Sequence, residues 1–72
     1  MDKSKKIELL AEIMEVEPEE IKEDMELKEV GDWDSLAVLS FIAMMDEEFG
    51  KEVSGTTVKE FVKISDALAV ME

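Results

Sequence analysis

The sequence predicts an all-α fold, a small bundle of three main helices plus one short helix. Two observations carry this. Apolar residues recur at helical spacing near the N-terminus, in the middle and near the C-terminus, and no segment alternates with the period of a strand. Residues with capping or turn chemistry stand at the borders of those segments. The chain has 72 residues, so we expect one domain spanning 1–72.

The first helix is expected over Lys3–Glu15. Ile7, Leu10, Ala11 and Met14 fall at i, i+3, i+4 and i+7, and Leu9, Ile13 and Val16 widen that stripe. Pro18 is expected to end it, because the residue before a proline avoids the α region. Pro18–Trp33 reads as a loop anchored by Ile21, Met25, Leu27 and Val30. Pro18-Glu19-Glu20 can open a single helical turn, and Gly31-Asp32 closes the loop.

The second main helix is the clearest. Asp34 is placed as its N-cap, Ser35 to about Phe49 forms its body, and Gly50 is placed for a left-handed stop. Val38, Ile42, Met45 and Phe49 share one face. Leu36, Leu39, Phe41 and Met44 broaden the apolar surface, which predicts a central helix packed on more than one side. A short helix is expected around Thr56–Phe61 after the Ser54-Gly55-Thr56-Thr57 turn. The last helix should begin near Ile64 or Ser65, with Ser65 as candidate cap, and carry Ala67, Leu68 and Met71.

Composition excludes several functions. There are 20 acidic residues against 8 basic ones, for a net charge of −12. Nucleic-acid binding needs the opposite balance. Cysteine and histidine are absent, which removes a thiol nucleophile, an imidazole base, the usual zinc ligands and any disulfide. Asp32-Trp33-Asp34 invites a calcium reading. A calcium loop beginning at Asp32 would need glycine and glutamate where Ala37 and Ala43 stand, so no metal site is expected. No leader peptide is expected at the N-terminus. The longest apolar run, Leu36 to Met45, is too short to span a bilayer. A monomer in the cytosol, with no membrane association, is the expectation.

The informative stretch is Gly31-Asp32-Trp33-Asp34-Ser35-Leu36. It places a serine at the start of a strong helix, where free amides and the helix dipole favour an attached phosphate. No neighbour can activate the hydroxyl, so Ser35 is expected to be modified by another enzyme rather than to act as a nucleophile itself. Trp33 is expected to pack against the bundle.

Asp34-Ser35-Leu36, followed by an apolar helix closing on Glu47-Glu48-Phe49-Gly50, resembles the acyl carrier protein family. Ile7–Val16 with Glu17-Pro18-Glu19-Glu20-Ile21 is similar to that family's first helix and the turn after it, and Glu52-Val53-Ser54-Gly55 to the approach to its short helix. The resemblance implies 4′-phosphopantetheine, donated by coenzyme A, attached to Ser35 through a phosphodiester and ending in a thiol that holds an acyl group as a thioester. It implies that Asp34 serves recognition by a phosphopantetheinyl transferase and that Leu36 lies at the root of the arm. Acyl- or aminoacyl-loading enzymes and downstream acyl-processing enzymes would be the other partners.

Two finer expectations follow. Leu39, Ile42, Met45, Phe61 and Ile64 are expected to face one another below Ser35 and admit an acyl chain, with bulky Phe61 keeping that space short. Ala37, Ser40, Ala43, Asp46 and Glu47 are expected on the outer, partner-facing side of the second helix. Family members serving fatty-acid synthesis carry acidic residues along that side. Here the half nearest Ser35 is neutral, which points to a specialised biosynthetic pathway. The competing reading from another class is an acidic helical adaptor or inhibitor that binds a basic partner without modification.

Overall fold

The computed structural model describes residues 2–31 and 33–71. The expected turn residue Asp32 lies outside the described residues. The chain forms a helical bundle, and among the described residues the one extended pairing is an isolated antiparallel bridge between Glu26 and Lys63.

Helix α1 spans Lys3–Met14, and the Asp2 carboxylate caps it by accepting from the Lys5 amide at 2.9 Å. It ends before Pro18 has any influence. Glu15 takes a left-handed conformation, φ 58°, and the Val16 amide reaches back to the Ala11 carbonyl at 3.0 Å. Pro18 instead opens a 3-10 turn, Pro18–Glu20, in which the Glu20 carboxylate accepts from the Glu17 amide at 2.8 Å. The remainder of the expected loop contains a helical turn that the sequence reading missed, α2, Leu27–Val30. Its capping group is the Glu29 carboxylate, which accepts from the Glu26 amide, and Leu27 anchors it in the core. Four residues are too few for a period to show.

Helix α3, Ser35–Met44, runs on into a π-helical turn, Met45–Phe49, and stops at Gly50, whose φ of 63° favours glycine. Helix α4, Gly55–Lys59, is capped by the Ser54 hydroxyl, which accepts from the Thr57 amide at 3.1 Å. Helix α5 is Ile64–Val70. Ser65, expected as its cap, lies inside it. The Asp66 carboxylate does the capping, accepting from the amides of Lys63 and Val62 at 2.9 and 3.0 Å.

α3 packs against α1 and α4. Its buried residues Val38, Phe41 and Met44, continued by Met45 of the π-helical turn, meet Leu10 and Met14 of α1, Val58 of α4 and Ile64 and Leu68 of α5 in one core. α3 is therefore covered on two sides, but the breadth expected of its apolar surface is not all buried. Leu36 and Leu39 stand in solvent, 72% and 64% exposed. No described helix is long and apolar enough to cross a membrane.

The loop ahead of α3 is clipped to the α4–α5 connection by backbone alone. Leu27 N–H donates to the Val62 carbonyl and Ile64 N–H to the Met25 carbonyl, both at 2.9 Å, and Ser65 N–H donates to the Glu23 carbonyl at 3.2 Å. This clip holds the stretch 23–27 against the start of α5.

Candidate functional site

The site is the start of α3. Asp34 is extended, and its Oδ1 accepts from the Ala37 amide at 3.0 Å while its carbonyl accepts from the Val38 amide at 3.0 Å. These two bonds use the third and fourth amides of the helix and leave those of Ser35 and Leu36 without an intrahelical acceptor. Ser35 is the first helical residue and is exposed. Its hydroxyl therefore sits at the positive end of the helix dipole, beside two amides that have no acceptor among the described residues. One oxygen of the neighbouring Asp34 carboxylate is engaged as the helix cap.

Ser35, Leu36 and Leu39 are neighbours on the helix surface, Leu39 lying one turn below Ser35. All three are exposed. This overturns the expectation that Leu39 faces inward with Ile42, Met45, Phe61 and Ile64. Met45 and Ile64 are fully buried, while Ile42 and Phe61 are half-buried against the core.

The outer face also differs from expectation. Ala43, Asp46 and Glu47 are exposed and Ser40 is half-buried, but Ala37 is only 5% exposed. Ala37 turns toward α1 and lines a groove of about 560 Å³ whose opposite wall is Leu9, Ile13 and Met14 and whose rim carries Glu12, Glu15, Glu47 and Glu48. The sequence reading did not single out this groove. Its signal was the widened stripe of α1, since Leu9 and Ile13 are apolar beyond what the core needs. A second groove, about 610 Å³, lies between α3 and the loop before α4, lined by Ile42, Ala43, Asp46, Glu52, Val53 and Ser54.

Trp33 packs into the bundle as expected. Its ring meets Phe41 edge-on at 5.9 Å between centroids and Phe61 at 6.5 Å, and Phe41 meets Phe61 edge-on at 5.5 Å. The indole Nε1 donates to the Val58 carbonyl at 3.2 Å. The segment leading into Ser35 is thus held from one side by an aromatic cluster and from the other by the Asp34 cap. The arrangement presents an accessible hydroxyl, and among the described residues no side chain hydrogen-bonds to it.

The family model for a phosphopantetheine attachment site matches residues 7–70. Comparison with curated proteins and with solved structures finds no match.

Proposed function

The chain belongs to the acyl carrier protein family, whose members carry a covalently attached 4′-phosphopantetheine, and from that premise we propose that residues 1–72 form a single carrier domain with Ser35 as its attachment residue. The observation that carries this is the exposure of Ser35 as the first residue of α3, beside an aspartate whose Oδ1 caps the helix. The residues present fit the group. The amides of Ser35 and Leu36, in the first turn of α3, suit a phosphodiester, and the exposed Leu36 side chain offers apolar contact at the root of the arm. The prosthetic group supplies a thiol that holds an acyl group as a thioester, and the protein contributes position and recognition.

In this reading the domain has no catalytic activity of its own. It works as a cytosolic monomer that meets a phosphopantetheinyl transferase, an acyl- or aminoacyl-loading enzyme and acyl-processing enzymes in turn. The surface they meet around Ser35 is formed by Leu36, Leu39, Ser40 and Ala43, with Asp46 and Glu47 at its far end. Its near half is apolar and uncharged, which supports service in a specialised pathway rather than in general fatty-acid synthesis.

Incubation with coenzyme A, Mg²⁺ and a broad-specificity transferase should add one phosphopantetheine to the intact mass, and Ser35→Ala should abolish the gain. Unmodified wild type across several transferases would overturn the reading.

A further inference from the structure

We propose that the aromatic cluster of Trp33, Phe41 and Phe61 closes the interior of this carrier to its acyl chain, so that the cargo is held outside the bundle. The proposal rests on Ser35 as the attachment residue. Trp33 stands two residues before Ser35, and its ring packs toward the core. Its ring is in contact with both phenylalanines, at 5.9 and 6.5 Å, and the two phenylalanines meet each other at 5.5 Å. Phe41 is fully buried. The indole is tied to the Val58 carbonyl at 3.2 Å, and Val58 is itself fully buried. Swinging Trp33 aside would break that bond and two ring contacts together.

The residues beyond the cluster are closed as well. Met45 and Ile64 have no exposed surface. Of the residues expected to form an acyl space, Ile42 lines the second groove, whereas Met45, Phe61 and Ile64 line neither. Interiors packed to this degree resist added methylenes, because every ring must leave its preferred rotamer to admit them. On this proposal Phe61 is the barrier between the groove that Ile42 lines and the buried Met45 and Ile64, so the short acyl space expected among them stays closed.

The test compares acetyl and octanoyl forms of the loaded protein by thermal melting, after intact mass has established loading at Ser35. Wild type should melt at the same temperature in both forms, within about 1 °C. In Phe61→Ala the octanoyl form should melt roughly 5 °C or more above the acetyl form, because the chain fills the space the ring has left. Phe61→Leu, a milder change, should show the same sign and serves if the alanine variant does not fold. A comparable rise in wild type overturns the proposal, as does chain-length independence in the Phe61 variants. A second arm needs no loading. Benzene should raise the melting temperature of the unmodified Phe61 variant and leave that of wild type unchanged. Benzene stabilising wild type equally would also overturn closure. Failure to load counts against Ser35 as the attachment residue, whereas the benzene result bears on closure alone.

Discussion

The indole of Trp33 donates its hydrogen bond to the Val58 carbonyl at 3.2 Å, and this one bond joins the approach to Ser35 to the short helix α4. Replacing Trp33 with phenylalanine keeps a ring against Phe41 and Phe61 and removes the bond, which should cost about 1 kcal/mol. Trp33→Ala removes the ring contacts too and should cost about 3 kcal/mol. Urea unfolding of the two variants measures the difference. Equal losses would mean that the rings contribute nothing beyond holding the indole donor.

Asp34 and Ser35 should separate cleanly. Asp34→Ala removes the acceptor of the Ala37 amide and should cost about 1 kcal/mol. Ser35 is exposed, and its backbone alone serves the helix, so Ser35→Ala should stay within about 0.5 kcal/mol of wild type. Chemical denaturation checks stability, and the transferase assay checks that loss of modification in Ser35→Ala is not loss of fold.

Glu15 holds a left-handed conformation that glycine adopts without steric cost. Glu15→Gly should stabilise the protein by about 0.5–1 kcal/mol, seen as a higher urea midpoint at unchanged slope. A lower midpoint would show that the Glu15 side chain contributes more than its backbone geometry costs.

Acid should release the α5 cap. Amides of Lys63 and Val62 hold Asp66 below the ordinary carboxylate value of 3.8, with the Lys63 charge a smaller contribution in the same direction. A depressed carboxylate stabilises the fold above the unfolded value, and that contribution is lost as pH falls through the folded value. The melting-temperature gap between wild type and Asp66→Asn should therefore be constant near neutrality and shrink below about pH 4. A gap unchanged through that range would remove Asp66 as a pH-dependent cap.

The outer face of α3 is open to redesign at Ser40 and Ala43. Aspartate at position 37 would place a carboxylate in a buried position, because Ala37 faces α1. Ser40→Glu with Ala43→Glu instead adds two carboxylates on the partner side. Each exposed charge pair gained is worth about 0.2–1 kcal/mol, more where the complex excludes water. The double variant should become a better substrate for fatty-acid elongation enzymes, most clearly at low salt. Wild type already matching a fatty-acid carrier in that assay would remove the neutral face as a selectivity device.

The parts of this fold that were legible in the sequence are those set by local chemistry. Asp34, the apolar body of α3 and Gly50 state where the helix begins and ends. Ser54 marks the start of α4, although the helix runs over Gly55–Lys59 rather than the expected Thr56–Phe61. What was not legible depends on which neighbours arrive. The N-terminal half of α3 carries no charged residue to mark its outer side, so nothing distinguished Ala37, which is buried, from Leu36 and Leu39, which are not. The capping of α5 by Asp66 from inside the helix rather than by Ser65, and the glutamate in a glycine conformation at the end of α1, follow geometry more than composition. The proposed attachment residue stands out in the sequence because its context, an aspartate cap followed by serine and leucine, lies in one short segment.

The backbone clip between Met25–Leu27 and Val62–Ile64 joins stretches far apart in sequence. Closing so long a loop is entropically costly, so these bonds belong among the late events of folding. Once formed, they involve segments with exposed surface, yet Leu27 and Ile64 are themselves anchored in the core. Their amides should therefore exchange with solvent slowly and as a pair, with far longer lifetimes than the neighbouring amides of Lys28 and Lys63. The loop leading to Ser35 is then not a hinge. It opens only when the C-terminal helix lets go, and a deuterium-labelling time course would show both segments gaining mass in one step.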